Sequence, residues 1–558
     1  MIQHLLFPKK WLVLVLSFML NPAVAAPPQH PQQGPTAQID SGTIEGIIID
    51  GVLSFKGVPY AAPPVGDLRW RAPQPVAPWT DVKKTLTYGA DCMQKPDVNE
   101  AAPPGNSPAE DCLFINVWRP AEVPVGETRP VLVWIHGGGF VNGGSSAAIY
   151  DGSSFAKKGL VFVSFNYRLG RFGFFAHPAL TTAKEGPLGN YGIMDQIAAL
   201  QWVQKNIAAF QGNPAQVTVM GESSGGISVL TLMTSQNDKQ LFHKAIIMSG
   251  GGRGWLVGGK QMSTGDLSAE QTGVNFASTA GIEGTGPEAL TALRALTAEQ
   301  VTGDLNMTSY LLDPDQRLIY AGGPIVDNEI VKGAPGDLLK AGTVTKIPIV
   351  IGTTGRDLSL EFKPTKEALF ATFGEDADEA RTLYDPDGTK TLRDLNQDVG
   401  ADRAMNEPAR FVAEQMTAQG NKAWIYRFYY VAETKRSDWE GANHATDLPY
   451  AFNNLKARYL NNVTDKDQAT ANAVHGYFAN FAKGDSPNST EMPAWSEFST
   501  DISNLLRFTL DEGTVFGADP WKDRLDLVEK QAETNPTPTP TPPPTPPETP
   551  LQIPRNNR

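Results

Sequence analysis

Cysteine is almost absent from this chain of 558 residues, which holds only Cys92 and Cys112, and that excludes a fold stapled by several disulfides. The fold must rest on a hydrophobic core, and an apolar fraction of 41% is ample to build one. Positive charge is also in short supply. Lys and Arg number 47 against 60 Asp and Glu, the net charge is −13, and no basic cluster stands out, so nucleic acid is excluded as a partner, because phosphate binding needs a cationic surface. The apolar run Trp11 to Leu20 falls short of the ~20 residues that a membrane span requires, so no stable membrane anchor is expected. HExxH, a P-loop and a GxGxxG opening a βαβ unit are all missing, which leaves metal, nucleotide and dinucleotide chemistry without support. The expectation is a site with no metal and no cofactor.

What is present begins with an export signal. Lys9 and Lys10 precede the apolar run, and the small residues Ala23, Ala25 and Ala26 follow it, which is the pattern of a leader (1–25) cut after Ala25. The mature chain is then expected to be secreted or periplasmic, an oxidising setting in which Cys92 and Cys112 would form a disulfide. Residues 26–40, rich in Pro and Gln, read as a disordered lead-in. Residues 531–558 carry the repeat NPTPTPTPPPTPPETP and read as an extended tail that cannot bury a core. One catalytic domain is expected over 41–530.

Within that domain, short and mostly β-branched apolar runs predict buried strands at Val131–Ile135, Leu160–Phe165, Val217–Met220, Lys244–Met248 and Ile347–Ile351. Longer helix-like stretches separate them, notably Ile193–Ala209, which carries Ile197, Leu200, Trp202, Val203 and Ile207. Strand and helix in alternation predict an α/β fold, a mostly parallel sheet covered on both faces. The stretch Gly251–Asp313, with scattered glycines and weak periodicity, reads as an inserted helical and loop segment of the type that shapes a substrate entrance.

Three features carry chemistry. Gly221-Glu222-Ser223-Ser224-Gly225 follows one predicted strand and precedes an apolar stretch from Ile227; a strand running into a helix through GxSxG holds the serine hydroxyl exposed on a sharp turn. His136-Gly137-Gly138-Gly139-Phe140 follows another predicted strand, and its bare backbone NH groups can approach a substrate oxygen closely. A serine hydroxyl also needs a base, and in the order Ser, acid, His the candidate histidines are His444 and His475. His444 lies in a turn-rich segment, GANHATDLPY, and is preferred over His475, which sits in a helix-like stretch. The orienting carboxylate must fall between Ser223 and His444. Asp357, just past the strand ending at Ile351, is chosen; Glu361 and Asp327 are the competing acids.

These residues resemble the type-B carboxylesterase (cholinesterase-like) family. The resemblance runs from about Gly42 to Phe498, through FKGVPYAAPPVGDLRW, Glu110-Asp111-Cys112-Leu113-Phe114-Ile115-Asn116-Val117, NYRLGRFGFF, GNYGIMDQIAALQWVQKNI, VTVMGESSG and GANHATDLPYAF. It implies an α/β-hydrolase fold with inserted segments forming a gorge, and a disulfide joining Cys92 to Cys112. By motif position it implies Ser223 as nucleophile, His444 as general base, and the backbone NH groups of Gly138, Gly139 and Ser224 as the oxyanion hole. The acid falls on Asp357, where the family usually has glutamate followed by glycine and this chain has Asp357-Leu358. Gln211 replaces the usual glycine or arginine, and Ser224 stands where alanine is commonest.

The reaction implied is hydrolysis of a small-molecule carboxylic ester through an acyl-enzyme. Met93–Asp111 contains no tryptophan, so the cation-π site on which choline stacks in cholinesterase-like members is missing there. A lipase or a hydrolase of bulky multi-ester natural products is the alternative enzyme reading; an inactive cholinesterase-like binding module is the remote one.

Overall fold

The structure, a computed structural model, describes residues 34–97, 100–235, 240–254, 256–265 and 267–534. The leader at 1–25 and the Pro/Thr repeat from 535 onward lie outside the described residues. The core is an 11-stranded sheet. In chain order its strands are β1 (Ile47–Ile49), β2 (Val52–Pro59), β3 (Phe114–Pro120), β4 (Arg129–Ile135), β5 (Val161–Phe165) and β6 (Gly212–Glu222). They continue as β7 (Lys244–Met248), β8 (Ile349–Thr354), β9 (Ala423–Phe428), β10 (Asn504–Phe508) and β11 (Thr514–Ala518). Their spatial order is β11-β10-β9-β8-β7-β6-β4-β5-β3-β2-β1. From β4 to β10 every pairing is parallel, and antiparallel strands finish both edges.

The period-two geometry of a strand explains how short apolar runs build two cores at once. In β4, Val131, Val133 and Ile135 enter one core, while Leu132 and Trp134 enter the other. In β7 and β8, Ala245, Ile247, Ile349 and Ile351 face the first core, and Ile246, Met248 and Val350 the second. The first is closed by helices Tyr191–Asn206, Ser224–Thr234 and Glu407–Ala418, through residues such as Leu200, Met233 and Phe411. The second is closed by helix Asp465–Lys483 through Val474, Phe478 and Phe481. Each such aliphatic or phenyl side chain contributes roughly 1.5–3 kcal/mol on burial. The layers hold the carboxyl ends of β4, β6, β7, β8 and β9 side by side, the edge of an open α/β sheet where ligand sites gather.

Three boundaries differ from the sequence expectation. The lead-in assigned to 26–40 contains a strand, Thr36–Ile39, paired with Gly42–Glu45, because Ala37 and Ile39 alternate into the core despite their polar surroundings. The compact unit accordingly begins at Pro35. At the other end, helix Lys522–Thr534 runs four residues into the stretch assigned to the tail, held by buried Leu525, Leu527 and Val528. The helix expected at Ile193–Ala209 ends at Asn206, and a 3₁₀ turn follows to Phe210. The chain then turns through Gln211 at φ +59°, a left-handed conformation that explains why glycine serves at such a position.

The inserted segment holds helices Ala269–Thr279, Pro287–Ala295, Ala298–Thr302 and Met307–Leu312. All are short, so periodicity in the sequence is weak. Three of the four start on a side-chain cap, Ser268, Thr297 and Asn306 each accepting a hydrogen bond from the first turn, while Pro287–Ala295 starts on its proline.

Candidate active site

Ser223 stands between the last residue of β6 and the first of helix Ser224–Thr234, at φ +57° and ψ −125°. That region of the backbone map costs a non-glycine residue on the order of 1–3 kcal/mol. The strain persists because the flanking backbones are crowded together. A Cβ on Gly221 would lie 2.3 Å from the Gly225 carbonyl oxygen, and one on Gly225 would lie 2.2 Å from that of Ile135. Only glycine fits at either position, and the amide of Ser223, bonded to the Met248 carbonyl at 2.9 Å, pins the turn to β7.

The structure brings His444 and Asp357 to this turn. Past the ends of β8 and β9 the two loops pair: the Arg356 amide donates to the Ala442 carbonyl at 2.8 Å, and Arg356 and Asn443 form a parallel bridge. The next residue on each side is Asp357 and His444. His444 Nδ1 lies 2.5 Å from Asp357 Oδ1, and His444 Nε2 lies 3.0 Å from Ser223 Oγ. An ionised carboxylate only accepts, so it places the proton of a neutral imidazole on Nδ1 and leaves the Nε2 lone pair facing the hydroxyl.

Asp357 is buried at 1% exposure and still accepts from Ser249 Oγ at 2.7 Å and the Thr354 amide at 2.9 Å. Burial, the largest single influence, pushes its pKa up, but His444 and these two hydrogen bonds outweigh it and hold the carboxyl below its ordinary range. For His444, burial alone would lower the pKa; the charges of Glu222 and Asp357 overcome it and raise the imidazole to about 9. Glu222 is within contact, its Oε1 3.3 Å from His444 Nε2. Burial pushes Glu222 itself up to about 8, opposed by the imidazolium of His444. Asp447 sits behind them, fully buried, accepting from Tyr426 Oη at 3.1 Å, with its pKa raised to about 6 by burial first and by Asp357 second.

On the opposite side of Ser223 is the loop after β4. A Cβ on Gly137 would lie 3.1 Å from Ser223 Cβ, and Gly138 and Gly139 take φ of +105° and +62°. The Gly138 carbonyl accepts from the amides of Val141 and Asn142 at 3.1 and 2.9 Å. Among the described residues, the amides of Gly138 and Gly139 have no backbone acceptor. Ser224 opens a helix, where leading amides lack an intrahelical partner. His136 is buried, stacked on Tyr167 at 4.4 Å, and held neutral by burial with its pKa near 4.

The competing residues lie elsewhere. His475 is buried in helix Asp465–Lys483 with Nδ1 against the Ala451 carbonyl at 2.9 Å. Glu361 pairs with Arg403 at 2.8 Å and Lys363 at 3.3 Å. Asp327 accepts from Asn190 and from the amides of Glu329, Ile330 and Val331. Cys92 and Cys112 form a disulfide. Among the described residues, no helix is long and apolar enough to cross a membrane. The sequence reading missed Glu222, Ser249 and Asp447 as neighbours of the site. Glu222 is inside the GxSxG motif and Ser249 directly follows β7, so position relative to a strand end was the available signal for both.

Comparison with known proteins agrees with this architecture. The model of the carboxylesterase family matches residues 33–379 and 371–519. A fumonisin B1 esterase of Sphingopyxis macrogoltabida is 33% identical over 428 residues, covering 74% of each chain. A para-nitrobenzyl esterase of Bacillus subtilis (strain 168) is 32% identical over 506 residues, covering 87% of this chain and 96% of that one. A solved PNB esterase structure superposes with a TM-score of 0.75 at 30% identity, over 88% of this chain and 99% of that one. An α/β-hydrolase sheet, a serine on a strained strand-to-helix turn, and matches of this length and identity lead to one conclusion: the chain belongs to the carboxylesterase family and is a carboxylic ester hydrolase.

Proposed function

We propose that Ser223 is the nucleophile, His444 the general base and Asp357 the acid that orients and stabilises it, with the amides of Gly138, Gly139 and Ser224 forming the oxyanion hole. The observation that carries this reading is the unbroken line of hydrogen bonds from Asp357 through His444 to Ser223. As Ser223 Oγ attacks the ester carbonyl, its proton passes to His444 Nε2, and negative charge develops on the carbonyl oxygen. Amides fixed by a rigid loop stabilise that charge without reorganising, and a single such donor is worth about 2.7–4 kcal/mol. The imidazolium then protonates the departing alkoxide, leaving an acyl ester on Ser223. Water, deprotonated by the same nitrogen, releases the acid and restores the hydroxyl.

As for substrate, relatives named for para-nitrobenzyl and fumonisin B1 esters and the missing tryptophan between Met93 and Asp111 favour esters other than those of choline. The leader-like start at 1–25 and the Cys92–Cys112 disulfide support export to an oxidising compartment. One experiment addresses both nucleophile and export. Mass spectrometry of the exported protein after fluorophosphonate treatment is expected to find residues 1–25 absent and one adduct, on the peptide containing Ser223. An adduct on another serine, or none, ends the assignment of the nucleophile, and an intact leader ends that of export.

Glu222 gives the site a pH dependence of its own. Only neutral His444 can accept the proton, so kcat/KM falls as pH drops through the pKa of the imidazole. A pKa raised to about 9 puts this limb above the ordinary histidine range. Because Glu222 contributes to the rise, Glu222→Gln is expected to move the acid limb of the kcat/KM profile to lower pH. An unmoved limb, or one displaced upward, removes Glu222 from this role.

A further inference from the structure

Side chains outside the triad hold the glycine loop in place. Asn142 ends the turn that begins at Gly138, its amide donating to the Gly138 carbonyl at 2.9 Å, and its side chain is 1% exposed. That side chain joins three segments. Nδ2 donates to the Lys95 carbonyl at 2.8 Å and to Gln94 Oε1 at 3.3 Å, both within the disulfide loop, while Oδ1 accepts from the amide of Met307 in the inserted segment at 2.8 Å. Gln94, two residues after Cys92 and 5% exposed, pairs with Gly143 as a second strand would. Its Nε2 donates to the Gly143 carbonyl at 2.7 Å and its Oε1 accepts from the Gly143 amide at 2.9 Å. A third bond, from Nε2 to the Cys92 carbonyl at 2.9 Å, returns the side chain to the disulfide.

We propose that Gln94 and Asn142 are positioning residues of the oxyanion hole, through which the Cys92–Cys112 loop and the inserted segment clamp the Gly138–Gly143 turn. The inference rests on the proposed active site as a whole, with Ser223 as nucleophile and the Gly138 and Gly139 amides as oxyanion donors. The physical need is plain: three consecutive glycines have the widest conformational freedom of any tripeptide, yet an oxyanion hole acts only if its amides are aimed before charge develops. Two buried carboxamides, bonded on both their donor and acceptor sides, supply the rigidity that the glycines lack. On the inserted segment, Met307 brings its Sδ to 3.3 Å from where a Cβ of Gly139 would lie, so the clamp also fixes a side chain beside the donors.

The test is steady-state kinetics of Gln94→Leu and Asn142→Asp in the full chain with a para-nitrophenyl ester, beside melting curves and a Ser223→Ala control. Asn142→Asp keeps the acceptor for Met307 and loses both donors. Misaimed amides weaken transition-state binding alone, so kcat is expected to fall about 10- to 100-fold with KM changed less than about 3-fold and the acid limb of the pH profile unmoved. Gln94→Asn, which retains the amide on a shorter stem, is expected to fall between wild type and Gln94→Leu, and it carries the test if the harsher variants do not fold. A folded variant that keeps kcat within 3-fold, or loses activity only in proportion to its unfolded fraction, overturns the clamp. Failure of the underlying reading shows differently, as a Ser223→Ala enzyme that still turns over.

Discussion

Ser223→Ala is expected to lower kcat by roughly a million-fold, the loss seen when a nucleophile acting as one unit with its base is removed. Two features of the site lead to an effect this large. Nε2 of His444 faces Ser223 Oγ at 3.0 Å, so its basicity is spent on that hydroxyl. The neighbouring Ser224 is a poor substitute, because its side chain is 1% exposed and leaves the turn on the buried side. The variant should remain folded, since alanine tolerates the Ser223 backbone no worse than serine does and the hydroxyl serves no described hydrogen bond other than that to His444. Turnover of a para-nitrophenyl ester by the purified variant, corrected for background hydrolysis, is the measurement. Retention of more than about a hundredth of wild-type kcat would move the nucleophile elsewhere.

The second large effect is expected at Asp357. Asp357→Asn should reduce kcat about ten-thousand-fold, with the fold unchanged. The surroundings of the carboxylate dictate how. The Thr354 amide donates to Oδ2 at 2.9 Å and the Leu358 amide to Oδ1 at 2.7 Å, so an asparagine NH₂ meets a backbone donor in either orientation, and the triad fails in the one that keeps the carbonyl on Thr354 and turns the NH₂ toward His444. The imidazole then has to accept at Nδ1 and carry its proton on Nε2, where a hydrogen points at the Ser223 oxygen and no lone pair is left to take its proton. Glu361→Gln should keep kcat within about tenfold, because that side chain pairs with Arg403 and Lys363 rather than with His444. Parallel kinetics of the two variants decide the matter: if Glu361→Gln is the more damaging, Asp357 does not hold the role.

Features governed by local rules were legible in the residues. Short, continuous apolar runs in β4 and β7 predicted buried strands, and the structure places Val133 and Trp134 in opposite cores. The turn at Ser223 was legible for the same reason, since Gly221 and Gly225 answer to crowding within a few residues of the serine. The helices of Gly251–Asp313 were less so, because each is only about one to three turns long, too short to repeat an apolar stripe many times. Thr36–Ile39 was misread because its strand depends on a partner and two buried side chains, not on composition.

Left to itself, the amino-acid sequence determined the alternation of strand and helix, the strained serine turn and the glycine loop, because steric and periodic constraints act over a handful of neighbouring residues. Only tertiary structure decided which acid meets His444, 87 residues away, that Glu222 touches the same imidazole, and that Gln94 reaches across 49 residues to hold Gly143. Those contacts depend on where parallel strands end relative to one another. Strand ends are set by the packing of the whole sheet, which no local pattern encodes.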